Sequence, residues 1–219
     1  MTCVVEEGDI PSVVITGKVR DGVIFGHKML LEREIRCNYQ EKKFTIRDRV
    51  TNQGFQRTNH MILYHCNIGY PVLSPDSEIF IPARETKART NHAQEGIQIW
   101  DQLQKPDSNY EEMCYYHDLK ADADHWTGAA VYNPNLNLGI AIEFDKTTLD
   151  HFVQWKMMGA GDYVLGLEPG NSTIDGIEDA IENGAMKFLE PGETVDYHLA
   201  FRILSSKEDL EEMKSKARV

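Results

Sequence analysis

Tyr163-Val-Leu-Gly-Leu-Glu168-Pro-Gly170 is an apolar run that delivers one carboxylate and then turns. Read with a period of two, Tyr163, Leu165 and Leu167 face one way and Val164, Gly166 and Glu168 the other. The carboxylate therefore shares its face with a glycine, which leaves space beside it. Pro169 biases Glu168 towards extended backbone and stiffens the end of the strand. A strand-borne carboxylate beside open space suits a general base; the plainer alternative is a strand-end glutamate pointing into water.

A second segment bears on that choice. Met61-Ile-Leu-Tyr-His65-Cys-Asn67-Ile-Gly69-Tyr-Pro71 is another apolar run. Alternation puts Met61, Leu63, His65, Asn67 and Gly69 on one face and Ile62, Tyr64, Cys66, Ile68 and Tyr70 on the other. A lone strand histidine is more often structural than functional, but this one shares its face with an amide and another glycine.

The chain has 219 residues, 41% of them hydrophobic, enough to bury a real core. That fits one all-β domain as well as two small ones; a single domain over residues 1–219 is the expectation. No run approaches the length of a membrane span, and the N-terminus shows no basic-then-apolar signal pattern. The four cysteines, at 3, 37, 66 and 114, have no CxxC spacing. They read as reduced thiols and point to the cytoplasm. A net charge of −12 argues against nucleic acid and anionic membrane surfaces as partners.

Strand patterns dominate. Ser12–Val19 alternates and Asp21-Gly22 reads as its turn. Lys28–Tyr39, Lys43–Thr51, Ala129–Tyr132, Leu138–Phe144, Phe152–Met157 and Val195–Leu204 follow the same pattern. Asn133–Asn137 and Met158–Asp162 are turn segments. This density predicts an antiparallel all-β sandwich or barrel with a few short helices. The helices are expected near Asp175–Asn183 and at Lys207–Lys216, the latter capped by Ser206 and a solvated surface element. Gln94–Asp124 lacks clean alternation and reads as a long loop with short structured pieces.

That loop holds Tyr115-Tyr-His117-Asp118 and, further on, Asp122, Asp124 and His125. The spacing fits no zinc pattern and no EF-hand, so a solvated loop with one or two functional members is expected. In Gln154-Trp155-Lys156, the indole could be core or a stacking platform for a sugar ring, with Lys156 beside it. Arg84 offers a donor fork for hydroxyls or a carboxylate, against an ordinary surface ion pair. No G-x-S-x-G, P-loop or G-x-G-x-x-G occurs, which removes the common signatures of acyl transfer, nucleotide hydrolysis and dinucleotide-dependent redox chemistry.

Three blocks together carry a resemblance: Leu63-Tyr-His-Cys-Asn-Ile-Gly-Tyr-Pro71, Gln154-Trp-Lys-Met-Met-Gly159 and Gly161-Asp-Tyr-Val-Leu-Gly-Leu-Glu-Pro169. They resemble the aldose 1-epimerase (galactose mutarotase-like) superfamily, most nearly a bacterial branch of it, from about Ser12 to Leu204. The resemblance implies a β-supersandwich with a sugar site on its concave face. It implies Glu168 as catalytic base, His65 as catalytic acid and Asp118, in the His117-Asp118 pair, as a sugar-binding aspartate. Members usually carry a further N-terminal segment supplying a sugar-contacting arginine and another histidine. The chain, starting at Met1-Thr-Cys-Val, is expected to lack it and to expose a sheet edge through which it could form a homodimer.

The chemistry fits independently of the resemblance. Exchanging sugar anomers needs a proton taken from the anomeric hydroxyl and one given to the ring oxygen. One carboxylate and one imidazole suffice, with no cofactor and no metal. Asn67, Arg84, Trp155, His117, Lys156 and Asp118 are the candidates for holding the sugar. Two rivals stand beside this reading. One is a non-catalytic carbohydrate-binding protein of the same fold. The other is a jelly-roll metalloenzyme using His65, His117, His125 and Glu168, although no His-x-His pair occurs. A glycosidase would need two carboxylates flanking one bond, and only one stands out.

Overall fold

Strands form where the sequence alternates, and their pairing is antiparallel throughout the named ladders. The computed structural model describes residues 1–217. It divides into unit 1, Met1–Ile62 with Asn171–Phe201, and unit 2, Leu63–Gly170 with Arg202–Val219.

In unit 1 four strands follow one another as neighbours: β1 (Thr2–Glu6), β2 (Ser12–Gly22), β3 (Lys28–Asn38) and β4 (Lys43–Asn52). Directly paired residues share a face. One face carries Val13, Ile15 and Val19 from β2, Leu31 and Ile35 from β3, and Ile46 and Val50 from β4. On it Arg33 forks onto the buried Asp48 at 2.7 and 2.5 Å. The other face is a lattice of charges. Lys18 meets Glu32 there, and Arg49 holds Asp196 at 2.8 and 3.2 Å. Asp196 lies on β15 (Thr194–Leu204). A two-stranded ribbon, β5 (Thr58–His60) with β14 (Lys187–Leu189), and the short α2 (Ile177–Glu182) complete the unit. Two of its buried polar groups meet on one hydroxyl: His60 contacts Tyr197 at 2.7 Å, and Asn171 donates to Tyr197 at 3.1 Å.

Unit 2 holds a five-stranded sheet in the order β6-β13-β12-β9-β8, built from Cys66–Gly69 (β6), Tyr163–Gly170 (β13), His151–Met158 (β12), Met113–Leu119 (β9) and Ala83–Ala88 (β8). A second set of strands pairs β7 (Glu78–Phe80), β10 (Trp126–Asn133) and β11 (Leu138–Asp145). The inner face of the five-stranded sheet carries Leu165, Leu167, Phe152, Tyr115 and Leu119, all buried. Phe152 stacks on Phe144 of β11 at 5.9 Å, which ties the two sets together. Beyond β8, α1 (Asn91–Glu95) and a 3₁₀ turn (Ile97–Ile99) close part of the inner face.

Four sequence expectations change. The β2–β3 turn lies at Val23–His27, not Asp21-Gly22, because pairing runs on to Gly22 opposite Lys28. The C-terminal helix α3 (Lys207–Lys216) has the Ser206 cap, whose hydroxyl accepts from Asp209 N at 3.2 Å. It is a surface element less fully solvated than its charge suggests: Leu210 and Met213 are buried against Ala130, Tyr132 and Ala141. The run from Met61 to Pro71 is strand only over Cys66–Gly69. The fourth change is one of degree: β9, an interior strand, is longer than the short structured pieces expected within that loop. Its inner face is buried, and its polar His117 obscures the alternation by being paired there rather than solvated.

Candidate functional site

The register of β6 on β13 builds the site. Asn67 lies opposite Gly166 and Cys66 opposite Leu167, and further out Leu63 bridges Gly170. The pair between these sets His65 opposite Glu168, and directly opposed side chains point the same way. The His65 ring is half exposed; the Glu168 side chain is 2% exposed. His65 Nε2 stands 3.0 Å from Glu168 Oε1, close enough for an ion pair. The ring is not aligned for a hydrogen bond, so Oε1 is a buried acceptor without one.

Gly166 explains how a carboxylate fits so deep. A Cβ on Gly166 would lie 2.3 Å from Glu168 Oε1 and 3.0 Å from the Cβ of Trp155. The carboxylate thus folds back along its own strand and fills the space that a side chain on Gly166 would take. The glycine beside the glutamate, visible in the sequence, is the berth of the carboxylate. Burial pushes the Glu168 pKa up, and the charge of His65 opposes this in smaller measure.

Trp155 lies opposite Gly166 on β12. Its ring sits edge-on to His65, centroids 5.6 Å apart, and its indole N–H donates to Glu112 at 2.7 Å. The indole is therefore held beside the His65–Glu168 pair. Asn67 is exposed on the same face. Together these four residues, with Gly166, form one patch.

The remaining candidates lie elsewhere. Asp118 shares the face, but it stands two strands across and two residues along from Glu168, roughly 12 Å by sheet spacing, and Lys146 holds it at 2.7 Å. Arg84 sits in a bulge of the edge strand β8, three strands or about 14 Å from β13. His117 and Lys156 point to the opposite, inner face. His117 contacts Thr86 Oγ1 at 2.9 Å and Gln154 Oε1 at 3.1 Å, so both ring nitrogens are engaged. Burial drives its pKa down to about 4, with the Gln154 contact opposing. Lys156 donates to the carbonyls of Ile99 and Gln102, at 3.0 and 2.5 Å, and burial lowers it to about 8. Both serve to tie the segment after α1 onto the sheet. His125 lies in a turn with φ 64°, so the four residues of the metalloenzyme reading are not brought together. Among the described residues no three metal-ligating side chains cluster.

Three residues on the outer face were missed by the sequence analysis. Tyr116 pairs with Val153, itself opposite Glu168; Cys114 pairs with Trp155; and His151 begins β12 on the same face. The strand signal that would have found the first two is the alternation of Cys114, Tyr116 and Asp118 with Tyr115, His117 and Leu119. Burial pushes the Cys114 thiol up, with Glu112 adding and Arg89 opposing.

Residues 1–203 match the family described as a domain of unknown function, DUF4432, and the chain belongs to that family. No curated protein is significantly similar to it in sequence. Among solved structures, a candidate aldose 1-epimerase from Klebsiella pneumoniae superposes with a TM-score of 0.93 at 25% identity. That match covers 98% of this chain and 56% of the Klebsiella protein, so the chain spans little more than half of that relative's length. A galactose mutarotase-like protein from Clostridium acetobutylicum gives 0.63 at 14% identity, covering 92% of this chain and 66% of its own. A candidate aldose 1-epimerase from Escherichia coli K12 gives 0.56 at 17%, covering 92% and 67%. The fold is the antiparallel all-β one of galactose mutarotase-like proteins, as the resemblance implied.

Proposed function

Starting from a DUF4432 member with this fold, we propose that the chain is a sugar isomerase of the aldose 1-epimerase type, with Glu168 as base and His65 as acid. The observation that carries this reading is the buried Glu168 carboxylate with His65 3.0 Å away and Trp155 at its side. Burial raises the proton affinity of Glu168, which suits a group that takes a proton from the anomeric hydroxyl and later returns it. His65 then gives its proton to the ring oxygen, the ring opens, the C1–C2 bond turns, and the steps reverse. Charge and proton count are conserved, and Trp155 offers the sugar an apolar face.

The direct contact between acid and base sets one condition. A hemiacetal must come between them, and Glu168 is locked in the Gly166 berth while His65 is half exposed at the edge strand β6. His65 is therefore the partner that moves aside. Asn67, on the same outer face, is placed to bond the sugar hydroxyls next to C1. The partner is a monosaccharide or a sugar derivative, and the site asks for no cofactor.

Anomer exchange across a panel of aldoses and uronic acids, followed by saturation-transfer NMR, tests this. Acceleration by the wild type and its loss in Glu168→Gln is the expected result. Sugar binding that persists in both without any acceleration would replace the proposal with a carbohydrate-binding protein.

A further inference from the structure

Fourteen of the eighteen exposed large hydrophobic side chains among the described residues belong to unit 1. Eight of them, Val19, Val23, Ile24, Phe25, Phe55, Ile177, Ile181 and Phe188, gather round the β2–β3 turn and α2. The apolar side of β2–β4 opens into a groove of about 390 Å³ lined by Val19, Leu31, Val50 and Ile177. Ile177 also borders a second groove, of about 610 Å³, lined by Phe55, Ile181 and Phe188 and bounded by the β2–β3 turn. The turn itself projects Ile24 and Phe25, exposed by 83% and 101%, and Phe55 is 93% exposed. An apolar knob thus stands directly beside a hollow whose apolar floor has a polar border that includes His27, Gln56 and Asn59.

We propose that this tract is the interface for a second copy of the chain, with the turn of each copy seated in the groove of the other. Three observations favour a copy over a different partner. First, knob and hollow are adjacent, so a twofold axis satisfies both at once, which is the condition for a closed isologous contact. Second, the size is right. Two freely exposed phenylalanines present roughly 150–250 Å² each, and with Val19, Val23, Ile24, Ile177 and Ile181 the tract reaches on the order of 1,000 Å². A standard interface needs about 800 Å² per partner, and a monomer rarely leaves a contiguous patch this large uncovered. Third, the rim carries both signs. Lys28 and Arg57, the latter 4.0 Å over the Phe188 ring, lie among the groove residues, and Glu178 and Glu182 alternate with Ile177 and Ile181 on α2. A twofold contact lets the basic rim of one copy meet the acidic rim of the other.

This surface is distinct from an open sheet edge, which the sequence analysis offered for dimerisation and which β1 provides. Sedimentation equilibrium over a concentration series separates them. The expected result is a reversible dimer for the wild type and a monomer for both Phe25→Asp and Phe55→Asp. Far-UV circular dichroism should be unchanged, since neither ring is buried. Val4→Asp, on the exposed β1 edge, should leave the dimer intact. A wild type that stays monomeric, an open-ended aggregate, or a dimer that withstands Phe25→Asp overturns the proposal.

Discussion

In unit 2 the conspicuous group is a buried carboxylate oxygen without an aligned donor, whereas in unit 1 it is a set of large apolar side chains facing solvent. In the polar interior of unit 1, Asp48, Asn52, His60 and Asn171 have close partners, and the Ser172 hydroxyl is left without one. Among the described residues of unit 2, the large exposed hydrophobics are Tyr70, Ile99, Leu136 and Ile203. The demand that stands out differs between the units. A buried acceptor without a donor costs about 1–3 kcal/mol and is met by a polar ligand; uncovered apolar surface costs about 25 cal/mol per Å² and is met by another surface. The proposed function answers the polar, enclosed demand with chemistry on a small molecule, and the proposed interface answers the apolar, open one with association.

The largest test of the polar half is Glu168→Gln. Loss of a general base lowers the rate by about 10²–10⁴-fold, so anomer exchange should fall by that factor while sedimentation of the variant stays that of the wild type. Stability should move the other way. Because burial raises the pKa of Glu168, the folded chain binds its proton more tightly than the unfolded chain does. That preference stabilises the fold below the ordinary carboxylate range and is lost as the pH rises through the raised value. Glutamine keeps the shape without the charge. Glu168→Gln should therefore unfold at higher denaturant than the wild type at neutral pH, with the gap closing at low pH.

The next effect belongs to the inner face of the same sheet. His117 is held neutral, its pKa lowered from 6.5 to about 4. A depressed base contributes stability that is present above pH 6.5 and lost as the pH falls towards 4. At about 1.4 kcal/mol per unit, the loss comes to about 3 kcal/mol. His60 in unit 1 shifts in the same direction through burial. Chemical denaturation between pH 7 and 4 should therefore show a shallower acid slope for His117→Gln than for the wild type. An equal slope would mean that acid sensitivity comes from elsewhere, His60 first.

Gly166→Ala sharpens the account of the berth. The atom that a new Cβ would strike is the end of a flexible side chain, Glu168 Oε1. The fold should survive, with a stability change within about 1–2 kcal/mol, while the carboxylate is pushed out from beneath His65. Exchange should drop roughly ten- to a hundredfold, or 1.4–2.7 kcal/mol of barrier. The pH dependence of the remaining activity should shift towards that of an ordinary carboxylate. Full activity in this variant would remove the glycine from the argument.

The strand that carries Glu168, and the β6 core just after His65, were legible because their signals are local. Period-two alternation sets the face of Glu168, and proline and glycine mark where its strand ends. What was not legible follows from partners far away in sequence. His117 and Lys156 looked like site residues because they are polar and sit beside Asp118 and Trp155 in the chain. Alternation turns both to the inner face, where Thr86, Gln154 and the carbonyls of Ile99 and Gln102 satisfy them. The same pairings hid β9, since a strand whose polar residues are paired internally does not read as half-buried. The contact between His65 and Glu168 depends on register, which local pattern leaves open; only the pairing of Asn67 with Gly166 fixes it.

The smallest expected effect concerns reach. Arg84 has the chemistry to grip a sugar hydroxyl or carboxylate, yet it projects from a bulge on β8 about 14 Å of sheet away from β13. A pyranose stacked on Trp155 and held at its anomeric carbon by Glu168 does not extend that far. Asn67, opposite Gly166, is within the span of such a ring. Asn67→Ala should therefore weaken sugar binding by roughly the 0.5–1.5 kcal/mol of one hydrogen bond, and Arg84→Ala should leave both affinity and stability within about 0.5 kcal/mol of the wild type. Titration calorimetry on the best sugar of the panel measures the pair side by side. If Arg84→Ala were the more damaging, the site would extend across the whole outer face towards β8. The open demand of unit 2 would then be a broad polar surface suited to a longer saccharide rather than a single enclosed oxygen, and the contrast with unit 1 would become one of polarity alone.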